Sequence, residues 1–188
     1  MIGQLPESLS VSGTEFAIRT DFRDVLTILE AFNDPELESN ERVYVCLYIL
    51  YQDFDSIPPE LYEEAFKKAL WFIDCGMDAD TKSQKAKPRT MDWEQDEHIL
   101  FPAINRVAGR EVRAVPYLHW WTFFGYFMEI QDGVFSHVLN LRQKKASGKK
   151  LEKWEREFWN ANKDICVLKA KLTAEEQAAK DRLNALLG

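Results

Sequence analysis

The chain has 188 residues, of which 46% are hydrophobic, 13% aromatic and 29% charged, as expected for a folded protein able to bury its own core. Its formal net charge of −7 argues against general nucleic-acid binding, because such binding depends on neutralising phosphates. The three cysteines are widely spaced and include no CxxC pair, so a disulfide framework is not expected.

The charge is distributed unevenly along the chain. Residues 1–100 contain 9 basic and 21 acidic side chains, whereas residues 101–188 contain 15 basic and 10 acidic ones. Opposite charges of this kind can steer head-to-tail self-association, or the two halves can complement each other within one fold. Both interpretations stay open, and the second is favoured.

The N-terminal sequence MIGQLPESLS has neither the basic start nor the apolar run of a signal peptide. The longest apolar run, Val43–Tyr51, is too short to cross a bilayer, which needs about 20 residues. The sequence therefore predicts a cytoplasmic protein that does not enter a membrane.

A β-hairpin followed by a helix is predicted near the N-terminus. In Ser8–Thr20, apolar and polar residues alternate on both sides of Ser12-Gly13, a pair suited to a two-residue turn. Asp21 then offers a helix N-cap, and apolar residues continue at helical spacing to Phe32.

The next two elements are also predicted to be helices. The run VYVCLYILY within Glu36–Gln52 could be a buried strand or a buried helix by its periodicity alone, and helical neighbours on both sides favour a helix. A proline-initiated helix follows Ser56, with an apolar stripe from Leu61 to Ile73.

The middle of the chain combines a predicted loop with three predicted helices. Gly76–Thr90 is polar, lacks periodic apolar positions and is expected to be a loop. A helix capped near Asp92 should run to about Val107. The aromatic stretch YLHWWTFFGYF, Tyr117–Phe127, predicts the next helix, and Val134–Leu141 predicts a short one after it.

The C-terminal region is predicted to hold a basic loop and a long helix. Arg142–Lys150 is rich in small and basic residues, which is typical of a loop. From Leu151 to Leu172, apolar residues recur at alternating steps of three and four, the heptad pattern of a coiled coil. A capping-box sequence at Thr173 starts a further helical stretch.

These patterns predict a mainly α fold: a helical domain with an N-terminal β-hairpin and a C-terminal heptad-patterned helix. Residues 1–145 are predicted to form the helical core domain with the hairpin. Residues 146–188 are predicted to form a C-terminal helical extension that packs on the core or on a partner.

One pair of residues could suggest a metal site. Glu94 and His98 lie four apart on a predicted helix, near Asp92 and Asp96, so that they share a face. No second histidine or cysteine lies at ligand spacing. Acidic residues are common in a solvated first helical turn, because the helix dipole favours negative charge there. The solvated turn is therefore the favoured interpretation, and no metal is expected.

The remaining candidates for chemistry are weak. His119 and His137 are interpreted as packed or hydrogen-bonded residues rather than general bases, because no nucleophile or phosphate-loop motif accompanies them. The basic cluster Arg142–Lys153 could contact nucleic acid, but the aromatic stretch precedes it on a different element. The sequence predicts a non-enzymatic protein without a cofactor, for which nucleic-acid binding is not expected.

The aromatic stretch is apolar nearly all round, which indicates a helix that is central to a core or covered by a partner. The heptad positions raise the same two alternatives. The residues predicted to face either the core or a partner are Trp120, Trp121, Phe124, Trp154, Phe158 and Ile165.

Four segments, in this order, resemble the bacteriophage gene-product-fifteen family, whose genes lie in the phage tail module. The segments are LPESLSVSGTEFAIRTDFRDVL, ALWFIDCG, MDWEQDEHILFPAI and LHWWTF. The resemblance covers roughly residues 5 to 170 and leaves Leu172–Gly188 outside it.

The resemblance implies a protein of tailed phages or prophages that is encoded near the tape-measure gene and resembles tail assembly chaperones. Such proteins bind the tape-measure protein, keep it in solution and leave as tube subunits polymerise around it. The implied partners are the tape-measure protein and a second tail assembly chaperone. Self-association is suggested separately, by the opposite charges of the two halves. The implied location is the host cytoplasm and not the mature virion. The alternative is a structural tail or connector protein that is retained in the virion.

Overall fold

A computed structural model describes residues 3–77 and 89–187 of the protein. The described residues are mainly helical, with one antiparallel hairpin, which confirms the predicted fold class. The hairpin strands are β1 (Ser8–Val11) and β2 (Thr14–Ala17). The helices are α1 (Phe22–Phe32), α2 (Ser39–Leu50), α3 (Tyr62–Ile73), α4 (Glu97–Ala108), α5 (Trp120–Met128), α6 (Val134–Ala146), α7 (Lys153–Ala161), α8 (Lys163–Cys166) and α9 (Ala174–Leu187). Short 3-10 turns occupy Phe54–Ser56, Pro59–Leu61 and Val112–Ala114.

The chain divides into two compact units. The hairpin unit comprises Pro6–Phe72 and Ala170–Gly188, and the aromatic unit comprises Met1–Leu5 and Ile73–Lys169. The boundaries fall after Leu5, Phe72 and Lys169, while the boundary predicted after residue 145 stays a prediction.

The predicted Ser12-Gly13 turn is confirmed by the backbone of the hairpin unit. Both residues have positive φ, 49° at Ser12 and 81° at Gly13, as a tight two-residue hairpin turn requires. Leu9 pairs with Phe16 across the strands. The turn is also held from outside, because the Ser12 N–H donates to the Glu64 carboxylate at 2.8 Å.

The buried side chains of the hairpin unit come from the hairpin and from α1, α2 and α3, and they include Val11, Val25, Leu47 and Ala69. Tyr51, directly after α2, is fully buried, and its hydroxyl donates to the Ala65 carbonyl at 2.9 Å. The Arg19 side chain donates to carbonyls at the C-terminal end of α2, including Ile49 at 2.7 Å. These bonds satisfy polar groups that the apolar run of α2 would otherwise leave at a buried helix end.

The aromatic unit is built on α4, α5 and α6. Gly109 ends α4 in a left-handed conformation with φ of 67°, as expected of a glycine after a helix. A second cluster of buried side chains forms between α6 and α8, where Val138, Leu141 and Cys166 meet. Partly buried Ile99, Leu151, Phe158, Trp159 and Ile165 pack against this cluster.

The prediction of one continuous heptad helix from Leu151 to Leu172 is wrong. Helix α7 ends at Asn162, whose φ of −127° and ψ of 44° are not helical, and α8 lasts for a single turn. Three apolar residues of the heptad, Leu151, Phe158 and Ile165, pack against the buried α6–α8 cluster. The pattern therefore reflects packing within a local core and not the seam of a coiled coil.

The prediction of a basic loop over Arg142–Lys150 is also wrong for the first half of that range. Residues up to Ala146 form the end of α6, with Lys144 and Lys145 in its last turn, where cations interact favourably with the helix dipole. Most of the predicted loop Gly76–Thr90, namely 78–88, lies outside the described residues. In the described part of the chain, none of the helices is long and apolar enough to span a membrane.

The capping box predicted at Thr173 is confirmed. The Thr173 hydroxyl accepts from the Glu176 N–H at 3.1 Å, and the Glu176 carboxylate accepts from the Thr173 N–H at 2.9 Å. This reciprocal pair starts α9, whose residues up to 185 are exposed.

Candidate partner-binding surfaces

The motif DWEQD, residues 92–96, organises the aromatic unit. The Asp92 carboxylate accepts from the backbone N–H groups of Glu94 and Gln95, at 3.1 and 2.7 Å. The Gln95 side chain makes two hydrogen bonds to the backbone of Lys169, one donated at 3.0 Å and one accepted at 2.9 Å. One short segment thus orders the chain just before α4 and bonds to Lys169, the C-terminal residue of the unit.

The last residue of the motif forms a buried ion pair. Asp96 is 1% exposed and Arg142 is 7% exposed, and their side chains form two hydrogen bonds at 2.7 and 2.8 Å. The Arg142 guanidinium also donates to the carbonyls of Ile165, Cys166 and Thr90. A buried charge needs such complete pairing, because an unpaired one is costly to desolvate.

The second residue of the motif joins an aromatic cluster. The Trp93 ring lies 6.2 Å from the ring of Trp120 and 5.1 Å from that of Phe127. Trp120 is 1% exposed, and its indole N–H donates to the Ile73 carbonyl at 2.8 Å. Trp120 is therefore a core residue, one of the two roles that the sequence left open for it.

The histidine of the aromatic stretch caps the start of α5. His119 is buried, and its Nδ1 accepts from the Trp121 N–H at 3.1 Å, which places it as the N-cap. This geometry agrees with the prediction of a packed, hydrogen-bonded histidine. Trp121 itself is partly buried, and its ring lies edge-on to the imidazole.

The other predicted residues differ in their exposure. Phe124 is partly buried and contacts the Trp120 ring at 5.5 Å. Trp154 is 58% exposed and stacks on His137, with ring centroids 5.3 Å apart. Phe158 meets the same imidazole edge-on at 4.5 Å. The six predicted residues thus belong to two separate clusters of the aromatic unit rather than to one surface.

An apolar groove lies between the end of α5 and α6. It has a volume of about 270 Å³. Its most exposed large apolar member is Met128, at 61%. The lining residues are Phe127, Met128, Ile130, Phe135, Ser136, Leu139, Asn140 and Gln143. We call this cavity the α5–α6 groove. Methionine and aromatic side chains at a concave surface suit helical or apolar partners, because they adapt to irregular shapes.

Sequence reasoning did not find Met128 or Arg142. Met128 lies at the end of the aromatic helix, and its exposure became visible only from the packing of its neighbours. Arg142 follows Val138 by one helical turn, so its place on the buried face of α6 was a usable signal. Asp96, interpreted from sequence as part of a solvated turn, is instead buried against it.

Two of the cysteine thiols have strongly raised pKa values. Burial raises the pKa of the Cys46 thiol to about 12, and burial together with Asp74 raises that of Cys75 to about 12, so neither is a thiolate near neutral pH. Within 3–77 and 89–187, no group of three or more His, Cys, Asp and Glu side chains is arranged to hold a metal ion. Glu94 and His98 are both exposed.

Helix α7 makes a pH-dependent contribution to stability. The Lys144 ammonium, followed by the Glu152 N–H at 2.8 Å, lowers the pKa of the Glu155 carboxyl below its usual 4.5. A carboxyl with a lowered folded-state pKa stabilises the fold above its unfolded pKa, and this contribution is lost as the pH falls through the folded value.

We therefore expect the free energy of unfolding to fall as the pH is lowered below 4.5, with part of the slope due to Glu155. Denaturant titrations at a series of pH values should show a shallower slope for Glu155→Gln. Lys144→Met should flatten the slope in the same way, because it removes the main cause of the shift. Equal slopes for the wild type and Glu155→Gln would contradict this assignment.

The described residues thus form two mostly helical units with exposed apolar side chains, and the DWEQD motif lies in the aromatic unit. The chain is a bacteriophage protein: it belongs to the family described as Bacteriophage Gp15 protein, whose model matches residues 1–168. This confirms the resemblance found in the sequence. Searches of the curated proteins and of the solved structures gave no match. The family match ends before α9 begins.

Proposed function

We propose that this phage protein is a non-enzymatic tail assembly chaperone that binds the tape-measure protein during tail assembly. It acts in the host cytoplasm and is absent from the finished particle. A second tail assembly chaperone and further copies of the chain are its additional partners. Family membership supports the phage context, and the proposal of a binding role rests on the surface of the protein.

The observation that carries the proposal is the α5–α6 groove. Its apolar residues Phe127, Ile130 and Leu139 line a concave surface beside the exposed Met128. A tape-measure protein is a long helical rod with apolar positions, and a helix of that kind docks by laying its apolar face into such a groove. Removing that face from water would keep the unassembled rod from aggregating.

The test is co-expression with the tape-measure protein of the same phage, comparing its soluble yield with and without this chain. We expect a large rise in soluble tape-measure protein and co-elution of the two proteins on size exclusion. Met128→Asp should reduce the rise several-fold, because it places a charge in the apolar groove without disturbing the core. Val167→Asp is the matched control, since Val167 is 46% exposed and does not line the groove.

Two outcomes would contradict the proposal. If the tape-measure protein stays insoluble and this chain elutes alone, the chaperone function is wrong. If mass spectrometry of purified virions finds this chain in stoichiometric amounts, the alternative of a structural tail or connector protein replaces it.

A further inference from the structure

A second concave surface lies at the junction of α6 and α7. It encloses about 640 Å³, compared with about 270 Å³ for the α5–α6 groove. The lining residues are Lys145, Lys149, Lys150, Leu151, Glu152, Arg156, Trp159 and Asn160. We call this cavity the basic groove. It shares none of its lining residues with the α5–α6 groove, so its ligand binding can be tested independently of the proposed chaperone activity.

The charge of the basic groove is strongly one-sided. Four of its lining side chains are cationic, and Glu152 is the one acidic residue among them. The Glu152 carboxylate is occupied in the capping box at the start of α7. Among the described residues, Lys149, Lys150 and Arg156 make no ion pair. Such a concentration of cations in a concavity raises the local concentration of anionic groups.

The floor of the basic groove is apolar and firmly supported. Leu151 and Trp159 are partly buried and pack against the α6–α8 cluster. The Lys145 ammonium lies 4.0 Å from the centre of the Trp159 ring, in a cation–π contact that orders both side chains. The surface therefore combines a fixed apolar base with a cationic rim, the arrangement that suits a ligand with an apolar residue flanked by carboxylates.

The observations favour an acidic protein segment over nucleic acid. Single-stranded nucleic acid binds through bases that stack on open aromatic faces, but Lys145 covers one face of Trp159, the single aromatic residue of the groove. The net charge of −7 also repels a long polyanion. A short acidic segment can pair with the cations of the groove and is repelled less by the net negative charge of the chain, because it carries fewer charges than a long polyanion. We propose that the basic groove binds an acidic, amphipathic segment of a protein partner.

The proposal can be tested with synthetic probes and the full-length chain. The first probe is a fluorescein-labelled helical peptide with glutamates on one face and leucines on the other. The second probe carries lysines in place of the glutamates, and the third is a labelled oligothymidine of similar length. Fluorescence anisotropy should show binding of the glutamate peptide that weakens as salt is raised, because the rim charges are solvent-exposed.

Charge reversal locates the site. Lys149→Glu with Lys150→Glu should weaken binding of the glutamate peptide about tenfold or more, because two cations are replaced by repelling charges. Lys153→Glu with Lys163→Glu is the matched control, since it changes the net charge equally at exposed positions outside the groove. Arg156→Gln provides a milder second variant, and circular dichroism checks that each variant is folded.

Three results would overturn the proposal. Equal weakening by the control pair would show that the attraction is general rather than located in the basic groove. Equal binding of the lysine peptide would show that carboxylates are not recognised. Tighter binding of the oligothymidine, lost in the Lys149–Lys150 variant, would assign the basic groove to nucleic acid.

Discussion

Replacing Arg142 with methionine should lower the free energy of unfolding by about 3–5 kcal/mol, because it leaves the buried Asp96 carboxylate without its cation. The carbonyls of Ile165 and Cys166 lose their donors at the same time, at 2.6 and 2.9 Å in the intact protein. Denaturant unfolding followed by tryptophan fluorescence measures the loss. Arg110→Met, at an exposed arginine, should change the stability by about 0.5 kcal/mol or less.

The double variant Asp96→Asn with Arg142→Met separates the ion pair from the packing. Once the buried negative charge is gone, the missing cation should cost less, so the double variant should be more stable than the sum of the two single losses predicts. Strict additivity of the single losses would contradict the coupling that the two hydrogen bonds at 2.7 and 2.8 Å imply.

Truncating Trp120 to alanine should also cost about 3–5 kcal/mol, since a fully buried tryptophan leaves a large cavity among its neighbours. Trp120→Phe keeps an aromatic ring, removes the indole donor to the Ile73 carbonyl and leaves a smaller cavity, so its loss of about 1–3 kcal/mol should lie below that of Trp120→Ala. Trp154→Ala is the control, because Trp154 is 58% exposed and should cost about 1 kcal/mol or less. Similar losses for the exposed and the buried tryptophan would contradict the core assignment.

Local signals predicted most of the secondary structure. The alternating residues around Ser12-Gly13 specified a hairpin because a tight turn has its own residue requirements. Helical spacing predicted α1 and α3, because the periodicity of apolar residues depends only on the sequence of the helix itself. Helix α2, whose sequence has no clear periodicity, was predicted as a helix only from its neighbours; it is not fully buried, because Tyr44 and Tyr48 are exposed.

The predictions failed where distant residues decide the structure. Asp96 and Arg142 are 46 positions apart, and nothing near either residue indicates that the other will neutralise it. The heptad pattern after Leu151 satisfied a local rule, but α7 stops at its C-cap Asn162, and Phe158 and Ile165 pack against the α6–α8 cluster. The two grooves have the same origin, because a concave surface is produced by packing between elements and not by the sequence of either one.

The Arg142 side chain bonds to segments that are distant in the sequence, and this affects local unfolding of the protein. It holds Thr90, 52 residues away, and Cys166, 24 residues away, on one guanidinium group that also neutralises Asp96. Detaching any one of these segments would expose the Asp96–Arg142 ion pair to water or leave one of its charges unpaired. Local unfolding at this point therefore costs free energy. The backbone amides around Asp96 and Cys166 should consequently exchange with deuterium together, as one cooperative unit.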